Sequence, residues 1–260
     1  MTMQWMTVFI DLPADDLQAG TAFWSEVTGS VRFDPWGADG EFATLEPAEG
    51  DPYLGVQRLH SGAGGCHPDF HVPDIASAAK RAQILGAAVA REDSGLVVLN
   101  SPAGLPFCLV RHREGQSTVP PPVRWPLGAR SRLDQICIDV PPDLFDRELE
   151  FWLDLTGWPQ TSTDVHEFRR LLPDPQVPLH LLLQRLDDAH SNQGAAAHPD
   201  FSCTDVAAET ERHRLAGAAA VRRHPHWQVM RDPTGLEYCI TDKDPDGNWL
   251  TGIALEPGPH

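Results

Sequence analysis

The stretch HPDFHVPDI at residues 67–75 returns as HPDFSCTDV at residues 198–206. Working outward, the flanking segments return in the same order. VLNSPAGLPFC at 98–108 becomes VMRDPTGLEYC at 229–239, and FWSEVTG at 23–29 becomes FWLDLTG at 151–157. One spacing of about 130 residues relates all three pairs. That is too long a period for a solenoid, whose units run to about 20–50 residues. It describes a duplicated domain, and hence two related pockets or one pocket built on a pseudo-twofold axis.

Between the copies, residues 113–131 (REGQSTVPPPVRWPLGARS) are rich in proline and polar residues and read as a partly stiff linker. The chain then divides into a first domain at 1–112, the linker, a second domain at 132–245 and a tail at 246–260 with no counterpart in the first half. A length of 260 residues suits two domains that each bury a core. The formal charge is −17, from 37 acidic and 20 basic residues. Such a charge repels phosphate backbones and anionic membranes, so neither nucleic acid nor a membrane is expected as a partner. No apolar run approaches the roughly 18–20 residues needed to span a bilayer. The opening MTMQWMTVFIDLPADD has no basic segment ahead of an apolar stretch, so no signal peptide is expected. Five cysteines without a CxxC pair fit a reducing cytoplasm better than a disulfide scaffold.

Each copy reads as strand, helix and three strands, twice over. Leu17, Thr21, Trp24 and Val27 recur at helical spacing ahead of Gly29, and the second copy keeps the stripe as Phe145, Leu149, Trp152 and Leu155. Asp74 is placed to cap a second helix carrying Ile75, Ala79 and Ala82. The turns SPAG and DPTG join the closing strands. Strand alternation then sorts the side chains. Phe70 and Val72 share one face, against His67, Asp69 and His71; Phe201 and Cys203 oppose His198, Asp200 and Ser202. Val8, Ile10 and Leu12 oppose Thr7, Phe9 and Asp11, as Ile136, Ile138 and Val140 oppose Gln135, Cys137 and Asp139. The apolar face is expected under helices, with Phe70, Val72, Phe107, Phe201 and Tyr238 buried; the mixed polar face lines a cavity or meets solvent.

The ordered set FWSEVTG, HPDFHVPD and SPAGLPFCL, then FWLDLTG, HPDFSCTD and DPTGLEYCI, resembles the vicinal oxygen chelate superfamily, and within it the tandem glyoxalase-like domains. The resemblance covers residues from about 5 to 112 and from about 133 to 243. It implies an α+β fold in which each domain pairs two βαβββ modules into a curved mixed sheet with helices outside. Metal-using members of that superfamily take ligands from the first and last strands of the modules. Those positions fall near Thr7 and Gln135, on His67 and His198, on Cys108 and Cys239, and near Val56–Gln57 and Leu183–Gln184. Glyoxalase-type enzymes hold a divalent ion with His, Gln and Glu. Here cysteine stands where Glu is expected in both halves, and threonine at one further position. His with Cys suits zinc better than magnesium or manganese.

His67, Asp69 and Cys108 are therefore expected to meet on one concave face, and Gln135, His198, Asp200 and Cys239 on the other, as ligand-contacting residues. The histidines are either ligand contacts or general bases, or strand-start groups that hydrogen-bond their neighbours. The cysteines read as small buried residues rather than nucleophiles. His224 and His226 in RRHPHW read as a loop, and His180 sits on a strand whose parity the sequence leaves open. Trp36, Trp158 and Trp227, with Phe33 and Phe42, either line a pocket for a flat ligand or cap sheet edges.

Two functions compete. One is a bleomycin-resistance-like protein that binds a small organic molecule, as monomer or homodimer, with no metal cofactor. The acidic charge there favours a cationic ligand. The other is a metal-dependent lyase, isomerase or dioxygenase that uses a divalent metal in the second-half cup.

Overall fold

The computed structural model describes residues 3–162, 165–190 and 194–247. The expected tail lies, from residue 248 onward, outside the described residues. The first half runs β1 (Trp5–Pro13), α1 (Leu17–Thr28), β2 (Val31–Arg32), β3 (Phe42–Glu46), β4 (Leu54–Leu59), β5 (Gly65–Val72), α2 (Ile75–Ile84), β6 (Ala88–Asp93), β7 (Leu96–Asn100) and β8 (Pro106–Arg111). The linker residues contribute β9 (Val123–Arg124). The second half follows with β10 (Arg130–Val140), α3 (Phe145–Thr156), β11 (Gln160–Ser162), β12 (Phe168–Leu171), β13 (His180–Arg185), β14 (Ala196–Cys203), α4 (Val206–Leu215), β15 (Ala219–Arg223), β16 (Trp227–Arg231) and β17 (Glu237–Thr241).

Each half forms one mixed sheet. The strand orders are β2-β3-β4-β1-β5-β8-β7-β6 and β11-β12-β13-β10-β14-β17-β16-β15, with β9 paired to β10. In each sheet two βαβββ modules meet through an antiparallel pair of their first strands, β1 with β5 and β10 with β14. The helix signals act as expected. Gly29 and Gly157 close α1 and α3 with φ of 63° and 70°, where a side chain would be strained. The Asp74 carboxylate accepts from Ser77 N, and Asp205 accepts from Ala207 N and Ala208 N.

The two halves share one core, because they exchange their first helices. Trp24 of α1 stacks on Phe201 and meets Tyr238 edge-on, both in the second half. Trp152 of α3 packs on Phe70 and Phe107 of the first half. Phe70, Val72, Phe107, Phe201 and Tyr238 are all buried, the four rings against Trp152 or Trp24 of the other half's helix. A single apolar cluster runs through both halves.

The two indoles need a polar partner once buried, and each copy supplies it differently. Trp24 Nε1 donates to Asp232 in the turn of the second half (2.9 Å). The first-half turn carries Ser101 instead of that aspartate. There Glu148 of α3 takes over, accepting from Trp152 Nε1 (2.7 Å) and from Ala103 N (2.8 Å). The position matching Glu148 on α1 is Gly20, where a Cβ would lie 2.7 Å from Leu12 and 3.0 Å from Thr234. The acid thus sits on the turn in one copy and on the helix in the other.

A second junction joins α4 to the first half. Arg212 donates to Val27 O (2.8 Å) and to Glu209 (2.6 Å), and its guanidinium lies 3.5 Å over the Trp125 ring. His213 bridges Glu209 and the Tyr238 hydroxyl. Burial alone would raise the Glu209 pKa, but hydrogen bonds from His213 and Arg212 outweigh it and hold the carboxyl at about 2. A carboxyl depressed by folding stabilises the fold above its unfolded value, and that contribution is lost as pH falls from about 4.5 towards 2. Glu209→Gln should therefore lower the melting temperature at pH 7, with the gap to wild type narrowing steadily below pH 4.5. A gap that stays constant to pH 2.5 would show that the ion pair is not the source.

Candidate functional site

The concave faces carry the polar residues that strand alternation assigns to them. In the first cup, His67, Asp69 and Cys108 bring one donor atom each within 4.8 Å of one another. His67 sits between Asp11 (Nδ1 to Oδ2, 2.8 Å) and Asp69 (Nε2 to Oδ1, 3.4 Å). In the second cup, His198, Asp200 and Cys239 converge in the same way. His198 sits between Asp200 (2.9 Å) and Asp139 (3.6 Å). Burial opposes charge on both histidines. The flanking carboxylates outweigh it, so both imidazoles are held well above their ordinary pKa.

Gln135 extends this arrangement in the second cup. Its Nε2 donates to Asp200, leaving Oε1 to accept from His180 Nε2 (2.9 Å). His180 is buried and faces the cup, which resolves its parity. A bulge between Leu133 and Gln135 also turns Asp134 to the polar side, where it accepts from Ser202 (2.8 Å).

The two cups differ at the position opposite the histidine. In the first, Phe9 pairs with His67 and stacks on it, with ring centroids 5.7 Å apart and planes 13° apart. Phe42 and Trp36 pack against the same phenylalanine. In the second cup the matching residue is Cys137, paired with His198. The next strand compensates: Gly55 pairs with Phe9, whereas Leu182 pairs with Cys137. A Cβ on Gly55 would lie 2.5 Å from the Phe9 ring. The first cup is therefore filled by its own aromatic side chains, with a cavity of about 220 Å³ left beside Thr7, Asp69 and His71. Gly55→Leu should destabilise the chain by about 1–3 kcal/mol through overpacking. Phe9→Cys in the same chain should restore most of that loss, as a chemical denaturation cycle would measure.

The second cup is open. A cavity of about 330 Å³ is bordered by Gln135, Cys137, Arg170, His198, Asp200 and Cys239. A larger space of about 1040 Å³ adjoins it, with Asp139, Gln184, His198, Trp227 and Cys239 on its wall. Gln57 and Gln184, rather than Val56 and Leu183, point to the cups: Gln57 pairs with Asp11 and Gln184 with Asp139. Burial pushes the Cys137 thiol up to about 12 and raises that of Cys239, so neither is a free thiolate near neutrality.

Cys137, Asp139 and Arg170 are cup residues that the sequence does not single out. Alternation placed Cys137 and Asp139 on the right face, but only the strand register sets Cys137 opposite His198 and Asp139 beside it. Arg170 lies in the segment where the copies diverge most. Of the aromatic candidates, Trp36 and Trp227 border cavities, whereas Trp158 is buried against Phe70 and Phe33 is exposed. His224 and His226 do lie in a loop, where His224 stacks on Trp227 and His226 meets Asp242.

The comparisons agree with this architecture. The family profile of the glyoxalase-like domain matches residues 7–110 and again 135–241. The chain belongs to that family, as a tandem member of the vicinal oxygen chelate superfamily. No curated protein matches it. Among solved structures, a variant of homoprotocatechuate 2,3-dioxygenase from Brevibacterium fuscum superposes with a TM-score of 0.62 at 15% identity, over 94% of this chain and 72% of the other. A mutant 4-hydroxymandelate synthase from Streptomyces coelicolor gives 0.60 at 14%, over 94% and 93%. The 2,3-dioxygenase LapB from Pseudomonas sp. KL28 gives 0.59 at 13%, over 97% and 93%. At these identities the likeness is one of fold. Among the described residues no helix is long and apolar enough to cross a membrane.

Proposed function

We propose that this chain is an enzyme acting on a small organic molecule in its second-half cup, with a divalent ion held at His198. The first cup is a duplicate closed by Phe9. The observation that carries this reading is the substitution of Cys137 for Phe9 opposite the histidine. It opens the cup and gives His198 a second donor group beside the one that it forms with Asp200 and Cys239. Cys137, Asp139 and His198 bring donor atoms within 4.8 Å of one another, as do His198, Asp200 and Cys239. Each group offers one sulphur, one imidazole and one carboxylate, a donor set that fits zinc or a similarly soft ion better than a hard ion that needs several oxygens. When bound, such an ion would act as a Lewis acid on a substrate oxygen.

The chain's own residues do the rest. Asp200 is held by Gln135 and His198, so its carboxylate is fixed in orientation by two donors. Asp139 is the freer of the two acids beside His198. Burial raises its pKa, which suits it to take and return a proton nearer neutrality than an ordinary aspartate does. A concentration of buried ionisable groups around one cavity is costly to fold and is typical of sites that do chemistry. The dioxygenases and the synthase among the fold neighbours support a catalytic reading over a purely sequestering one.

One observation favours the metal-free alternative, a small-molecule binding protein. Asp139 and Asp200 already neutralise a charged His198, so the cup is electrostatically satisfied without an ion. Elemental analysis separates the two. Protein purified without an affinity tag should carry close to one zinc-class ion per chain. An ion-free protein that fails to take up zinc from a buffered solution would favour the binding protein.

A further inference from the structure

We infer that Gln135 and His180 are positioning residues: together they hold Asp200 on Nδ1 of His198 and so turn Nε2 to the open side of the second cup. The use of that nitrogen rests on the reading that an ion is held at His198.

The two cups present their histidines opposite ways round. His67 gives Nδ1 to Asp11 (2.8 Å) and Nε2 to Asp69 (3.4 Å). His198 gives Nδ1 to Asp200 (2.9 Å), and its Nε2 lies 3.6 Å from Asp139. Asp139 occupies the place of Asp11, since Asp11 pairs with Gly65 as Asp139 pairs with Ala196. Asp200 occupies the place of Asp69, since Thr7 pairs with Asp69 as Gln135 pairs with Asp200. The flanking acids are thus the same in both cups, and the imidazole between them is turned over. Phe9, stacked on His67, does not account for the difference. A stacked neighbour fixes the plane of a ring, and a half-turn about Cβ–Cγ leaves that plane unchanged. The polar partners decide which edge carries which nitrogen.

What differs is the support behind the aspartate. Gln135 Nε2 donates to Asp200 Oδ2, while its Oε1 meets His180 Nε2 at 2.9 Å. An N–H at that imidazole nitrogen fixes the amide, because the opposite orientation would set Oε1 against the Asp200 carboxylate. Asp200 Oδ1 then accepts from His198 Nδ1. One run of hydrogen bonds therefore crosses from β13 through β10 to β14. In the first cup Thr7 stands in the place of Gln135, and its hydroxyl bonds His71 Nε2 (2.9 Å). Tyr53 stands in the place of His180, since Leu54 pairs with Val8 as Leu181 pairs with Ile136. Its hydroxyl donates to Leu133 O of the other half (2.8 Å). Both replacements are engaged elsewhere, and the closer contact of His67 goes to Asp11 instead.

The orientation has a chemical consequence. Cys137 and Asp139 bring donor atoms within 4.8 Å of His198, and with Nδ1 committed to Asp200 the nitrogen left for that group is Nε2. A ligating imidazole whose other N–H is held by a carboxylate keeps one ring orientation and gains basicity, and loss of such a partner typically costs about 10–100-fold in metal affinity.

Two measurements test this: nuclear magnetic resonance of the metal-free protein labelled with nitrogen-15 at histidine, and zinc affinity by competition with a chromophoric chelator. Wild type should show a slowly exchanging Nδ1 proton on His198, because the Asp200 side chain is 5% exposed where that of Asp139 is 27% exposed. Gln135→Thr, which installs the first-cup residue, should lose that slow proton and bind zinc about 10–100-fold more weakly. His180→Leu should do the same with Gln135 intact, and His180→Gln, which keeps a donor there, should restore most of both. If Gln135→Thr does not fold, the two His180 variants carry the test. A slow Nδ1 proton with unchanged zinc affinity in Gln135→Thr or His180→Leu, equal losses in His180→Gln and His180→Leu, or a wild type without the slow proton would each overturn the inference. A wild type that takes up no zinc counts against the proposed function alone, and the Nδ1 proton then decides the orientation by itself.

Discussion

Trp24→Ala should cost about 3–5 kcal/mol of stability, and Trp152→Ala a similar amount. Both indoles are fully buried, and each packs on two aromatic residues of the opposite half. Removing Trp24 leaves a cavity and also takes from the buried Asp232 the hydrogen bond that its Oδ2 accepts, while Oδ1 keeps its bonds to the turn. The larger consequence is cooperativity. Since α1 covers the second half and α3 the first, neither half keeps a complete core without the other. Urea unfolding of wild type and both variants, followed by tryptophan fluorescence and by far-ultraviolet circular dichroism, should give coincident single transitions. Two separate transitions, with one half surviving the other, would contradict the helix exchange as the main source of stability. Trp36→Ala, at an exposed ring, should shift the midpoint far less.

The second large effect is expected at the sulphurs. Cys137→Ser and Cys239→Ser should each weaken zinc binding by at least two orders of magnitude, since even partners one shell out change affinity by about 10–100-fold. Cys108→Ser, in the closed first cup, should leave it unchanged. Competition against a chromophoric chelator measures all three. Equal losses in both cups would show that Phe9 does not close the first one, whereas no loss in any variant would remove the sulphurs from the site.

Much of this was legible in the sequence because two codes are local. Alternation along HPDFHV and HPDFSC separates Phe70 and Phe201 from His67, Asp69, His198 and Asp200, and the strands keep that separation. The helical stripe through Trp24 and Trp152, closed by Gly29 and Gly157, fixes the buried side of α1 and α3. What stayed hidden depends on pairing between distant strands. Cys137 and Gln135 are both on the polar face, but only the antiparallel register of β10 against β14, with its bulge at Asp134, brings Cys137 opposite His198. The helix exchange is invisible for the same reason: Trp24 reads as a core residue without saying whose core. Arg170 lies on a short strand in the most divergent segment, where a charged residue reads as exposed. Its place on the second sheet follows from its pairing with Leu182, which joins strands distant in sequence.

On the proposed function the second cup, and not its duplicate, is the working site. That assignment is tested most directly by the metal content of His198→Ala and His67→Ala, prepared side by side without an affinity tag and equilibrated with zinc under identical conditions. Wild type and His67→Ala should carry close to one ion per chain, and His198→Ala none. Retention in His198→Ala with loss in His67→Ala would contradict it.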